Sequence, residues 1–167
     1  TKYSVGEYVC CRSGWQEYFI SNDKDPMTYK VDPKLVPLST YLGVCGMTGR
    51  TAYFGLMKEA SPSKGETLVV SAASGAVGSI VGQIGKKIGL NVIGIAGSDE
   101  KCNYVVDELN FDGCVNYKSA FFRDELASKL DSGVDIYFES VGGLVTETVT
   151  EFFNSGSRSP ICGYISN

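Results

Sequence analysis

Histidine is absent from this chain. That removes the commonest general acid–base and any Ser-His-Asp triad. It also weighs against a catalytic zinc, which is usually held by cysteine and histidine together. Six cysteines are present, at Cys10, Cys11, Cys45, Cys102, Cys114 and Cys162, and no two form a CxxC pair. Most lie in apolar runs and read as small buried hydrophobes rather than metal ligands or disulfide staples. No metal is therefore expected. Basic runs are missing too, and the net charge of -4 argues against nucleic acid as a partner. There is no apolar stretch long enough to span a bilayer and no signal-peptide pattern, so a cytoplasmic protein is expected, with no membrane partner. Chemistry in such a chain must come from a cofactor, a tyrosine, a lysine or a carboxylate.

What is present is an ordinary globular composition, with 43% hydrophobic and 20% charged residues in 167. The length suits one domain plus part of a second. Residues 1–37 differ from the rest. Residues 5–10 and 16–20 read as two short strands, Asn22 to Pro26 is turn chemistry, and Pro33 and Pro37 punctuate an extended stretch. Two strands make no stable domain alone. The segment must lean on something else or be the remnant of a larger β domain.

A helical pattern follows over residues 44–58, and from Thr67 the rhythm turns regular. Apolar strands are expected at 67–71, 91–95, 113–117, 134–138 and 161–163. Between them, Val77, Ile80, Val81, Ile84 and Ile88 share one helical face; Cys102, Val105, Val106 and Leu109 mark a second helix. Phe122, Leu126 and Leu130 suggest a third, and Val145, Thr148, Val149 and Phe152 a fourth. Alternation at this spacing predicts an α/β fold: a parallel Rossmann-type sheet with helices on both faces.

The sharpest local signal is Ala72-Ala73-Ser74-Gly75-Ala76-Val77-Gly78-Ser79, placed between an expected strand and an expected helix. A dinucleotide fingerprint needs that context. With Ala73 at the first position of G-x-G-x-x-G, Gly75 lets the backbone approach a pyrophosphate and Gly78 lets helix and strand pack closely. The helix N-terminus then offers N–H donors to phosphate. The competing reading is a tight strand–helix turn with glycines for geometry only.

An NAD enzyme usually places Asp or Glu about 20 residues past the glycines to hold the ribose 2′-hydroxyl. Here that strand ends in Ile95-Ala96-Gly97-Ser98. Asp99 competes for the ribose role. Read instead as a helix start, Ser98 is an N-cap with Asp99 and Glu100 in the first turn. Lys101 then lies one turn on, within reach of a 2′-phosphate, unless it is a plain surface lysine. NADP(H) is favoured over NAD(H).

Taken together, the motifs resemble the prostaglandin reductase, leukotriene B4 12-hydroxydehydrogenase and alkenal double-bond reductase family, zinc-independent medium-chain reductases. The resemblance runs through Gly46-Met47-Thr48-Gly49-Arg50-Thr51-Ala52-Tyr53, the block from Ala72 to Gly82, Gly97 to Lys101, and Val115-Asn116-Tyr117-Lys118. It continues in Ser140-Val141-Gly142-Gly143 and in Ile161-Cys162-Gly163-Tyr164-Ile165-Ser166. Ser13-Gly14-Trp15-Gln16-Glu17-Tyr18 is similar to a motif near the end of the family's GroES-like domain.

The resemblance implies hydride transfer from NADPH to the β-carbon of an α,β-unsaturated ketone or aldehyde, without metal, followed by protonation of the enolate. It implies Gly75, Ala76, Val77 and Gly78 at the pyrophosphate, and Ser98, Lys101 and Tyr117 around the 2′-phosphate. Met47 and Thr51 would lie near the nicotinamide. Ser140 and the run Cys162, Gly163, Tyr164, Ile165 and Ser166 would pass along the cofactor. Tyr117 can also be read as packing its ring, Met47 and Thr51 as helix-start residues, and Cys162 as a packing residue.

The same resemblance expects residues 1–37 to be part of a GroES-like catalytic domain and 38–167 to be the NADP(H)-binding domain without its last strand. The whole protein is then expected to take a small-molecule enone and to pair as a homodimer. No catalytic acid can be assigned within these residues; Tyr53 and Tyr164 are the stand-ins. Two departures are visible: Ser140 where the family usually has Asn, and Pro160 in an expected central strand, where a bulge or local rearrangement is anticipated. A zinc-free quinone oxidoreductase and a non-catalytic NADP(H)-binding module are the alternative readings.

Overall fold

The structure is a computed structural model in which residues 2–21 and 24–166 are described. Asn22 and Asp23 of the expected turn lie outside the described residues. The chain divides into two compact units between Met47 and Thr48.

In the first unit, strand β1 (Tyr8–Cys10) pairs antiparallel with β2 (Tyr29–Val31), Tyr8 facing Val31 and Cys10 facing Tyr29. The strand expected at 16–20 does not form. Tyr18 and Ile20 project into solvent, whereas Thr28 and Val31 are buried. A strand is held by its ladder, and β1 makes that ladder with 29–31 instead. A short 3₁₀ turn follows at Leu38–Leu42.

The second unit holds a five-stranded parallel sheet. Its strands are β3 (Thr67–Val70), β4 (Asn91–Ala96), β5 (Gly113–Asn116), β6 (Val134–Phe138) and β7 (Phe153–Arg158), in the order β5-β4-β3-β6-β7. This is a doubly wound order, and its switch point lies between β3 and β6. Helices α2 (Gly78–Ile88) and α3 (Asp99–Asp107) cross between the strands on one side of the switch. Helix α4 (Phe122–Ala127) connects β5 to β6, and α5 (Gly143–Thr150) leads to β7.

The core sits on both faces of this sheet. Leu68, Val70, Val81, Val92, Val105, Phe111, Ile136 and Phe138 form one buried cluster, under the face of α2 that carries Ile80, Ile84 and Ile88. Val69, Ile93, Ile95, Val115, Phe122, Leu126, Tyr137, Val145 and Val149 form the other. Consecutive residues of β3 go to opposite clusters, as the strand period of two requires. Each fully buried aliphatic or aromatic side chain contributes about 1.5–3 kcal/mol. Close packing of α2 depends on Gly82, where any Cβ would run into the Phe111 ring.

The helical pattern at 44–58 becomes α1 (Met47–Tyr53), continued by a π-helical turn over Phe54–Ala60. Gly55 lets the Phe138 ring approach this turn; a Cβ there would stand 2.7 Å from Phe138 Cε2.

The last expected strand is misplaced. The ladder to β6 is made by Phe153–Arg158, with Val134 facing Phe153 and Ile136 facing Arg158 across an irregular register. Residues 161–163 contribute only a single bridge, Ile161 to Glu139. The reason is Pro160, which has no N–H to extend the ladder. Its carbonyl still accepts from Glu139 N at 3.0 Å, and the Ser159 hydroxyl donates to the Tyr137 carbonyl at 3.1 Å. The anticipated rearrangement is thus a hydroxyl bond standing where a ladder N–H would be.

Candidate functional site

The glycine turn leaves β3 at the switch point. Ala72 adopts φ +48°, so the left-handed residue of the turn is Ala72 rather than Ala73. A β-carbon in that region is strained. Ala73 instead is fully buried, and its N–H donates to the Ile95 carbonyl at 3.0 Å. Gly75 N–H donates to the Ala72 carbonyl at 2.9 Å, and helical bonding begins with Ser79 N to Gly75 O at 3.0 Å. A Cβ on Gly78 would overlap the Ala72 carbonyl oxygen and stand 3.0 Å from its carbon. Glycine therefore lets the turn close tightly on its own backbone, with helix α2 leading out of it.

Beside the turn lies a cavity of about 280 Å³, bounded by Ala72, Ser74, Gly75, Ile95, Ala96, Gly97, Lys101, Tyr117, Lys118, Val141, Val145 and Ile165. Ser98 caps α3, accepting from Lys101 N–H at 3.3 Å. Asp99 is turned to the end of β5, where Asn116 Nδ2 donates to it at 2.8 Å. Tyr117 lies over Gly97; a Cβ there would be 3.3 Å from its hydroxyl. Lys118 Nζ stands 5.9 Å from the centroid of the Tyr117 ring. The cavity is thus bounded by two lysines and a tyrosine, and the acidic candidate for a ribose contact is drawn toward Asn116.

The far wall is built on residues the glycine motif does not announce. Glu139, at the end of β6, is 1% exposed. Its Oε1 accepts from Val141 N at 2.5 Å, from Gly142 N at 3.0 Å and from the Ser71 hydroxyl at 3.2 Å. Its Oε2 accepts from the Thr146 hydroxyl, which in turn accepts from the Tyr137 phenol at 3.3 Å. Burial holds the Tyr137 phenol above its ordinary range, so it stays a donor. Ser140 N–H donates to Ser71 Oγ at 2.8 Å. Glu139, Ser71 and Lys118 were not singled out from sequence. The available signal was an acid directly after the apolar run Ile136-Tyr137-Phe138 and just before Gly142-Gly143.

A second cavity, about 700 Å³, is lined by Thr51, Phe54, Gly55, Glu59, Phe138, Arg158, Ser159, Pro160, Ile161 and Cys162. Arg158 is fixed there by a bidentate pair with Glu66 at 3.0 and 2.6 Å and by Nε donating to the Ala60 carbonyl at 2.9 Å.

Among the residues expected at a site, Gly75, Lys101, Tyr117 and Ile165 line the smaller cavity, and Thr51 and Cys162 the larger. Ala76, Val77, Gly78, Ser98, Ser140, Gly163, Tyr164 and Ser166 line neither. Gly78 and Ser98 shape helix starts, Ser140 N–H donates to Ser71 Oγ at the end of β3, and the Ser166 hydroxyl donates to the Val141 carbonyl in the turn after β6. Met47 opens α1 and is exposed. Tyr53 and Tyr164, the stand-ins for an acid, are 47% and 64% exposed.

A doubly wound parallel sheet with a glycine turn at its switch point defines a Rossmann-type domain. The chain belongs to the zinc-binding dehydrogenase family, whose profile matches residues 76–167. Zinc does not fit these residues: the sequence has no histidine, and among the described residues no three His, Cys, Asp or Glu side chains converge. The chain is 43% identical to the NADP(+)-dependent 2-alkenal reductase of Nicotiana tabacum, over 99% of this chain and 48% of that one. It is 44% identical to prostaglandin reductase 1 of Mus musculus, over 98% of this chain and 50% of that one. The structure of CurA from Vibrio vulnificus in complex with NADPH is 50% identical, with a TM-score of 0.91, over 98% of this chain and 48% of that one. The resemblance read from the motifs is thereby borne out. The chain spans about half the length of the curated relatives it matches. Among the described residues no helix is long and apolar enough to cross a membrane.

Proposed function

We propose that this chain supplies the NADP(H)-binding domain of a reductase that saturates the C=C bond of α,β-unsaturated ketones or aldehydes. The observation that carries the reading is the cavity between the glycine turn and the Lys101–Tyr117 rim, in a fold shared with an NADPH complex at 50% identity. The similar tobacco enzyme is named for 2-alkenals, which are α,β-unsaturated aldehydes.

In this reading Gly75, Ala76, Val77 and Gly78 hold the pyrophosphate: Gly75, whose N–H is given to the Ala72 carbonyl, lets the backbone approach it, and the main-chain N–H groups of the other three face it. Lys101, with Ser98 and Tyr117, receives the 2′-phosphate; an ammonium and a phenol give charge-assisted bonds that a bare ribose cannot use. Asp99 Oδ1 accepts from Asn116 Nδ2, which draws its carboxylate toward the end of β5. Thr51 and Met47 stand at the nicotinamide end, and Ser140 with Cys162, Gly163, Tyr164, Ile165 and Ser166 runs along the cofactor. When bound, NADPH supplies the hydride; the chain's part is to hold and orient it. Cytoplasmic placement and pairing of two copies belong to the same proposal.

The test is a nicotinamide-fluorescence titration of the protein with NADPH and NADH, followed by turnover on a panel of enones and quinones. Tight NADPH binding with turnover of enones supports the reading. Equal affinity for both nucleotides sinks the 2′-phosphate assignment. Turnover of quinones alone makes the protein a quinone reductase, and binding without turnover leaves a nucleotide-binding module.

A further inference from the structure

Among the described residues, Glu139 is the one carboxylate in the fully buried core. Burying such a group is costly unless donors replace the lost water. Its four donors are all neutral: two backbone amides, Ser71 and Thr146. A carboxylate held this way does not touch a ligand, and the reading above gives it no task.

Its bonds have a direction, however. The amides it holds belong to Val141 and Gly142, the first turn after β6. That turn has ample freedom of its own: Gly142 and Gly143 sit at φ +80° and +53°, a region glycine enters as readily as φ < 0, so its shape is chosen by the bonds made to it. Val141 then passes the constraint on. Its carbonyl accepts from Ile165 N at 3.0 Å, Ser166 N at 2.8 Å and Ser166 Oγ at 2.8 Å. The main chain of Glu139 fixes the other side of the same segment, its carbonyl accepting from Cys162 N at 2.7 Å. Val141 and Ile165 both line the smaller cavity. One buried carboxylate thus sets two stretches of backbone that face it.

We propose that Glu139 is a positioning residue: through Oε1 it fixes the turn at 140–142, and through Val141 it fixes the 165–166 segment against the cofactor cavity. That the cavity takes NADP(H) rests on the function proposed above; that Glu139 orders its wall does not.

Two readouts separate these claims. Amide hydrogen exchange on the protein without nucleotide reads the positioning directly. Glu139→Leu removes every acceptor and is expected to speed exchange at Val141, Gly142, Ile165 and Ser166 by at least tenfold. Glu139→Gln keeps an oxygen for the two amides, and its amino group can donate to a reoriented Thr146 hydroxyl, so exchange should return to within about threefold of the parent. Ile136→Val, a cavity on the same strand, controls for stability lost without repositioning and should leave these four amides unchanged. NADPH titration is the second readout, with a tenfold or greater loss expected for Glu139→Leu and recovery in Glu139→Gln. Should Glu139→Leu fail to fold, Glu139→Asp decides: its carboxylate is one methylene shorter and is withdrawn from the two amides held by Oε1, so faster exchange at Val141 and Gly142 is expected. Unchanged exchange at these amides in the folded variants, or equal acceleration in Ile136→Val, overturns the proposal. Failure of the parent to bind NADPH overturns the cofactor reading alone, since exchange still reports on Glu139.

Discussion

The carbonyl oxygen of Ala72 occupies the place that a Cβ on Gly78 would take. The two residues close the glycine turn from opposite ends: Ala72 is its left-handed corner and Gly78 the first residue of α2. Because the obstruction is backbone, no rotamer change relieves it. Gly78→Ala is expected to destabilise the domain by about 1–3 kcal/mol, the usual cost of overpacking. A thermal or urea midpoint equal to the parent's would show that the turn can open without loss.

Lys101 lies on the cavity rim one turn into α3. Hydrogen bonds to charged groups contribute about 1.5–3 kcal/mol. Lys101→Ala should therefore weaken NADPH binding by roughly 10- to 150-fold and leave NADH binding nearly unchanged. Parallel titrations check this. An equal loss for both nucleotides would mean that Lys101 supports the fold rather than the 2′-phosphate.

The Arg158–Glu66 pair joins β7 to the residue before β3 and is partly buried. Its bidentate hydrogen bonds hold the Glu66 carboxyl below the usual carboxylate range. A depressed folded pKa contributes stability above the unfolded value, near about 4.3, and that contribution is lost as pH falls through the folded value. Denaturant midpoints should thus fall below about pH 4. Glu66→Gln should lose about 1 kcal/mol at neutral pH, within the range of a well-formed partly exposed pair. Its difference from the parent should vanish in acid; a difference that persists there would assign the loss to packing.

Cys102 and Cys114 stand with their sulfurs 2.8 Å apart, and burial pushes both thiols above the ordinary range. Cys45 and Cys162 are exposed. Since the thiolate is the reactive form, an alkylating reagent at neutral pH should label Cys45 and Cys162 well before Cys102 and Cys114. Peptide mass mapping over a time course would show the order. Prompt labelling of Cys114 would contradict the packing described for β5.

The alternation of apolar strands and amphipathic helices gave away the Rossmann-type sheet, because strand and helix periods are properties of neighbouring residues. Val69, Ile93 and Val115 needed only their local runs to be placed in β3, β4 and β5. The N-cap at Ser98 was equally legible, since it depends on a bond spanning three residues. The segment at 16–20 was not. Its run Tyr18-Phe19-Ile20 is made of residue types that favour strands, but a strand exists only where a partner supplies a ladder, and β1 found that partner at Tyr29–Val31. The edge of the sheet failed for a related reason: Pro160 was recognised as a disturbance, but its consequence, a ladder made by Phe153–Arg158 instead, depends on what β6 offers across the gap.

The sequence by itself determined the glycine turn, the absence of histidine chemistry and the small, uncharged end of β4, because each is fixed by residue type and short-range geometry. Tertiary structure alone decided that Ala72 rather than Ala73 is the strained corner. It alone turned Asp99 toward Asn116 and put Lys118 on the same cavity as Lys101. It also brought Ser71 and Glu139, nearly seventy residues apart in sequence (|i−j| = 68), to 3.2 Å. That contact follows from the crossover placing β3 beside β6, and the bonding of a buried carboxylate is determined only when every donor around it has been brought into place.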